Sequence, residues 1–207
     1  MKVALCIPVY GGAKSPFLRS YGRLISYTYL AAVEGPEAAA RPILETFTRD
    51  SASVSHNRRE IAHEALGWGA DWLLWLDADM VFPPDGLQRL LAHGKPIIAA
   101  NYRRRDPEAS VSTAAKLVDG KAVPLEPRRD GLEEAAFCGF GFCLIAATVL
   151  RAMTPPWFLE GVDRDQRTAV GEDAYFFTRA RASGFPCLID HKLSLEIGHI
   201  AETELRF

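Results

Sequence analysis

Trp72-Leu73-Leu74-Trp75-Leu76-Asp77-Ala78-Asp79 sets an unbroken apolar run directly against two carboxylates one residue apart. The run does not alternate with polar residues, so both of its faces must be covered, as in an inner strand of a parallel sheet. Such a strand carries whatever follows it to the carboxyl edge of the sheet, where open α/β sheets bind their ligands. Asp77 and Asp79 are therefore expected in a crevice. Hard oxygen ligands of this kind suit Mg²⁺ or Mn²⁺, whose shells phosphate oxygens and water complete. The alternative is that Asp77 merely ends the strand and Asp79 caps a turn.

Outward from this stretch the chain alternates strand and helix patterns. Val3 to Val9 reads as a buried strand entering a loop with Pro8, Tyr10, Gly11 and Gly12, a ligand rim. Leu18 to Ala32 reads as a helix, and the Ala-rich stretch Ala31 to Ala40, interrupted by Gly35 and Pro36, as a helix end followed by a loop. Ile43 to Thr48 reads as a strand, and Val54 to Leu66 as a helix with Ser53 as N-cap, ended by Gly67 and Gly69. Downstream, Asp85 to His93 has helical spacing and Lys95 to Ala100 suits a strand. Tyr102 to Glu134 is a polar excursion rich in Arg, Pro and Asp, expected to be mobile and to cover a site or bind an acceptor. A glycine-punctuated strand over Phe137 to Ala146, a short helix from Thr148, a helix from Glu172 and a strand over Pro186 to Ile189 complete the pattern. The whole implies an α/β fold with a mostly parallel, Rossmann-like central sheet flanked by helices.

Composition narrows the function classes. At 207 residues and 48% hydrophobic content the chain can bury one core without disulfides, so residues 1–207 are read as a single domain. A net charge of -2 argues against a dedicated polyanion binder, although Arg103, Arg104, Arg105, Arg128 and Arg129 are local candidates for anion contacts. Cys6, Cys138, Cys143 and Cys187 form no CxxC pair, which points to a reducing cytoplasm rather than a disulfide framework or zinc site. The apolar start MKVALCIPVY is too short for a signal peptide or a membrane span.

Five segments carry a family resemblance: ALCIPVYGG (4–12), VSHNRREIAHEALGWGADWLLWLDADM (54–80), GFGFCLIAATVL (139–150), GEDAYFFTRARASGF (171–185) with PPWF (155–158) ahead of it, and LEIGHIAE (195–202). Together they resemble small bacterial or phage GT-A glycosyltransferases, family 2-like and DxD-containing. The resemblance leaves only the middle segment, from Arg103 to Glu134, unmatched. It implies a donor half over 1–101 and an acceptor and catalytic half over 102–207. Pro8, Tyr10, Asn57, Arg58, Asp77, Ala78, Gly141 and Trp157 would contact the nucleotide sugar, a UDP- or GDP-sugar. Asp77, Asp79 and His199 would hold Mn²⁺ or Mg²⁺. The family commonly has a glycine shortly after this histidine, and Ala201 stands there instead.

Asp173, and after it Glu172, would be the catalytic carboxylates, although two acids in a first helical turn also suit the helix dipole alone. Trp157 could stack on a sugar or simply pack. His56 and His63, seven apart on one helix, read as surface or packing residues. The implied reaction is metal-dependent transfer of a sugar from its nucleotide to an acceptor hydroxyl of a glycan, protein, metabolite or modified DNA base. Three rivals stay open: a haloacid dehalogenase-like phosphatase, since LLWLDADMVF also suits its strand and paired acids; a nucleotidyltransferase, for which GGAK at 11–14 is a faint phosphate loop; and a non-catalytic nucleotide- or sugar-binding module.

Overall fold

The computed structural model describes residues 1–31, 42–105, 111–163 and 168–201. In chain order these form β1 (Lys2–Val9), α1 (Ser15–Ala31), β2 (Ile43–Asp50), α2 (Val54–Trp68), β3 (Trp72–Leu76), β4 (Met80–Val81), α3 (Gly86–Ala92), β5 (Ile97–Ala99), β6 (Ala115–Val118) and β7 (Lys121–Pro124). There follow β8 (Leu132–Ala135), β9 (Phe142–Ala146), α4 (Ala147–Ala152), β10 (Gly161–Asp163), β11 (Thr168–Val170), α5 (Glu172–Ala182), β12 (Cys187–Asp190), α6 (His191–Ser194) and β13 (Gly198–His199). The Ala-rich stretch expected to close the first helix lies outside the described residues, apart from its first position.

Seven strands form the central sheet in the order β2-β1-β3-β9-β5-β12-β8. The pairs β1–β2, β1–β3 and β5–β12 are parallel, while β9 opposes both β3 and β5, and β8 opposes β12. β1, β2, β3, β5 and β12 thus share one direction, and the sheet is mostly parallel. β3 is continuously apolar because its residues serve two cores in turn. Leu73 and Trp75 face one cluster with Ala4, Cys6, Ile61, Phe140, Phe158 and Phe176, whereas Leu74 and Leu76 face another with Leu5, Phe17, Leu87, Phe142 and Leu144. Each such buried side chain contributes about 1.5–3 kcal/mol of transfer free energy, which fixes β3 centrally and its end at the sheet edge.

Local signals explain several boundaries. Ser53 caps α2, its hydroxyl accepting from the His56 N–H at 3.2 Å. α2 runs through Gly67 and stops at Gly69, whose positive φ of 84° lets its N–H reach the Ala65 and Leu66 carbonyls. The strand expected from Phe137 starts only at Phe142. Before it, Gly139 and Gly141 press on Tyr102 so closely that a Cβ would lie 2.2 Å and 2.7 Å from its hydroxyl, leaving no room for a regular side-chain-bearing strand.

The polar excursion holds more structure than its composition suggests: β6 and β7 form a hairpin, and β8 joins the main sheet beside β12. Buried Asn101 secures its start. Its side-chain oxygen accepts from Ser112 Oγ at 2.8 Å and the Ala114 N–H at 3.0 Å, and its amide donates to the Leu125 carbonyl at 2.9 Å. No helix among the described residues is long and apolar enough to cross a membrane.

Candidate functional site

The ends of β1 and β3, the start of α2 and the first turn of α5 surround a cavity of about 610 Å³. Pro8, Tyr10, Gly11, Gly12 and Lys14 line one side, and Arg58, Asp77, Ala78, Asp79, Glu172 and His199 lie within it. The Ala78 carbonyl accepts from the Lys14 N–H at 3.0 Å, so the glycine loop is tied to the acidic turn by the backbone. Gly11 and Gly12 have φ of 70° and 95°, a conformation that costs glycine little and that side-chain-bearing residues rarely adopt.

The acidic turn and the distant histidine meet through a short ladder. β4 pairs antiparallel with β13, setting His199 opposite Met80, and the Ile200 N–H donates to the Asp79 carbonyl at 2.9 Å. His199 Nε2 then lies 3.3 Å from Asp79 Oδ2. Its Nδ1 faces the Arg103 carbonyl at 2.9 Å. A carbonyl only accepts, so Nδ1 carries the proton and Nε2 of the neutral ring presents a lone pair to the cavity. Burial pulls the imidazole below the ordinary histidine range; the Arg103 carbonyl and Asp77 oppose that pull, and the Arg105 cation adds to it.

Asp77 turns the other way. Its Oδ1 accepts from Arg58 Nη2 at 2.8 Å, and Arg58 Nε donates to Glu172 Oε1 at 3.3 Å. One guanidinium thus joins the acid at the end of β3 to the acid heading α5. The Arg58 side chain is 3% exposed, with its charge over the rings of Phe140 at 4.7 Å and Trp75 at 5.5 Å. Burial opposes its charge, but Asp77 and Glu172 more than offset this and raise its pKa. Among the described residues Nη1 has no hydrogen-bond partner, as suits a group held for its charge and position between carboxylates and aromatic faces.

The cavity therefore collects Pro8, Tyr10, Arg58, Asp77, Ala78, Asp79, Glu172 and His199. Four other expected positions stand apart from its lining. Asn57 is buried, donates to the Val9 carbonyl at 3.1 Å and accepts from Ser51 Oγ at 2.6 Å, fastening α2 to the end of β1. Gly141 lies behind the acidic turn, its carbonyl accepting from the Asp77 N–H at 3.3 Å. Trp157 is 5% exposed, donates to the Leu150 and Met153 carbonyls, and packs its ring at a tilt against His63, centroids 4.7 Å apart. Asp173 folds back on its own helix start, where Oδ1 accepts from the Ala174 N–H at 2.7 Å.

Arg105 and Glu160 also line the cavity, and sequence reading assigned neither a specific role. Arg105 pairs with Asp79 through Nη2 and donates from Nε to His199 Nε2 at 3.0 Å. Its only signal in the sequence was membership of the Arg103–Arg105 cluster. Among the described residues, no group of three or more His, Cys, Asp or Glu forms a metal centre. Asp79 and His199 instead provide two converging acceptors with a cation between them, a donor set suited to Mn²⁺ or Mg²⁺ only where phosphates and water fill the remaining positions.

No family model matches the chain. Its structure is similar to A197 from STIV, with a TM-score of 0.58 at 17% identity, over 100% of this chain and 98% of that one. It is also similar to GalNAc-T7, solved with UDP, GalNAc and Mn²⁺: the TM-score is 0.54 at 13% identity, over 98% of this chain and 44% of that one. At such identities the likeness is one of fold alone, and that fold is GT-A-like.

Proposed function

We propose that the chain is a metal-dependent glycosyltransferase that moves a sugar from a nucleotide-sugar donor to an acceptor hydroxyl. The carrying observation is the convergence of Asp79, His199, Asp77 and Glu172 on one cavity at the carboxyl edge of β1 and β3, on a glycosyltransferase-like fold. The nucleotide lies along the rim formed by Pro8, Tyr10, Gly11 and Gly12, with its diphosphate toward the acidic turn. Asp79 and His199 would hold the Mn²⁺ or Mg²⁺, which would supply the positive charge that a departing diphosphate requires.

The remaining roles belong to the chain itself. Arg58 fixes the Asp77 and Glu172 carboxylates relative to each other, so it organises the site without needing to touch the nucleotide. Asn57 does the same for the junction of β1 and α2. Of the paired acids heading α5, Glu172 faces the cavity whereas Asp173 is engaged with its own backbone. Glu172 is therefore our candidate for the base that takes the acceptor proton in an inverting transfer, ahead of Asp173.

Thermal-shift titration with UDP- and GDP-sugars, with and without Mn²⁺, tests the donor half of this reading: one donor should raise the melting midpoint only when metal is present. Donor binding with neither hydrolysis nor transfer would favour a non-catalytic module. Release of phosphate from a simple ester would favour the phosphatase. Glu172→Gln should slow transfer by about 10²-fold or more, the usual scale of a proton-transfer group, with Asp173→Asn milder. The reverse order of effects would return the role to Asp173.

A further inference from the structure

His199 Nε2 and Asp79 Oδ2 are both acceptors, and they face each other at 3.3 Å. Two lone pairs so placed repel unless something positive stands beside them. Arg105 supplies it, pairing with Asp79 through Nη2 and donating to His199 Nε2 from Nε at 3.0 Å. The partners differ sharply in burial: the Asp79 side chain is 9% exposed and that of Arg105 63%. Asp79 is fixed in the wall of the cavity, while Arg105 reaches it from solvent.

We propose that Arg105 is a tethered counter-ion for the metal ligands, one that must leave Asp79 and His199 before a divalent cation can bind there, and that then engages the diphosphate of the donor. The inference rests on the proposed metal role of Asp79 and His199. A guanidinium and a divalent cation cannot share the same two acceptor atoms, so the apparent metal affinity is reduced by the fraction of molecules in which Arg105 occupies them. Once displaced, the guanidinium remains tethered beside the same cavity with free donors suited to phosphate oxygens. Arg105 thereby makes metal and nucleotide binding interdependent: metal frees the arginine, and the diphosphate gives it a new partner.

The test uses the full chain, Mn²⁺ and UDP, with no turnover required. Free Mn²⁺ is followed by electron paramagnetic resonance in wild type, Arg105→Ala, Arg105→Lys and Asp79→Ala, first without nucleotide; UDP affinity is then measured calorimetrically at saturating Mn²⁺. Arg105→Ala should bind Mn²⁺ alone about tenfold more tightly than wild type and UDP about tenfold more weakly, with Arg105→Lys between the two. Asp79→Ala should bind no Mn²⁺. Equal or weaker Mn²⁺ binding by Arg105→Ala, beside normal binding by wild type, overturns the displacement, and unchanged UDP affinity overturns the transfer to diphosphate; either result leaves the metal reading intact. Absence of Mn²⁺ binding from folded wild type and Arg105→Ala alike, even with UDP, removes the metal reading and this inference with it.

Discussion

Two arginine–aspartate pairs stand two residues apart along the acidic turn, and they are built for opposite purposes. The inner pair, Arg58 with Asp77, has side-chain exposures of 3% and 28%, and its guanidinium also binds Glu172 and lies over two aromatic rings. In the outer pair, Arg105 with Asp79, the arginine is 63% exposed and shares its carboxylate with a histidine lone pair. The inner arginine cannot leave without stranding charge in the protein interior, whereas water can replace the outer one at little cost. Identical chemistry thus makes a fixed strut on one side of Ala78 and an exchangeable contact on the other.

The largest separation between the two should come from Asp79→Ala. If Asp79 is the exchangeable carboxylate, its loss should cut metal-dependent transfer by about 10²–10³-fold, the scale of removing a preorganised electrostatic contact, while the melting midpoint moves by only a few degrees. Steady-state transfer assays beside thermal melts measure both effects. A variant that keeps its activity, or one that loses its fold, would place Asp79 with the strut.

Arg58→Ala should show the converse. Removing one partner from a buried pair costs about 3–5 kcal/mol, and because Asp77 and Glu172 retain some contact with water the lower end applies here. In a chain of this size that corresponds to a fall of about 10 °C in the melting midpoint. Arg58→Lys keeps the charge but not the fork that spans both acids, so it should recover only part of the loss. Chemical denaturation of the three proteins would check the order.

A smaller effect is expected behind the turn. Tyr102 accepts from the Gly141 N–H at 2.9 Å and sets its ring edge-on to His199 at 5.4 Å, linking the strut side of the site to the exchangeable side. A methyl group at Gly141 would meet the Tyr102 ring at 2.6 Å and Met80 at 2.9 Å. Gly141→Ala should therefore cost about 1–3 kcal/mol by overpacking. It should also lower Mn²⁺ affinity, because the displaced ring bears on His199. Loss of stability with unchanged Mn²⁺ binding would show that Tyr102 does not link the two sides.

The strut side was the more legible in sequence. The unbroken apolar run at 72–76, the capped helix after Ser53 and the acids that follow each have local signatures, and the observed boundaries differ from the expected ones by a few residues at most elements. Partner choice was not legible. Nothing local to Arg58 tells that it binds two carboxylates 19 and 114 residues away, and nothing in PPWF tells that Trp157 turns its N–H to the Leu150 and Met153 carbonyls. Asp173 and Glu172 are chemically alike, and only the direction of the first turn of α5 separates them. The excursion after Tyr102 was least legible, since its order comes from strand pairing in β6–β7 and β8–β12 and from buried Asn101 gathering groups 11 to 24 residues away, features without a local periodicity.

Arg105→Ala should have the smallest effect on stability and is for that reason the sharpest control on the comparison. An ion pair whose cation is largely in water contributes about 0–1 kcal/mol, since solvent screening offsets most of its Coulomb energy. The melting midpoint of the metal-free variant should then fall by no more than about 3 °C, far less than for Arg58→Ala. Adding Mn²⁺ should raise that midpoint more in Arg105→Ala than in wild type, because the metal no longer displaces a resident cation. A loss as large as that of Arg58→Ala would mean that the outer pair is also a strut, and the contrast drawn from burial would fail.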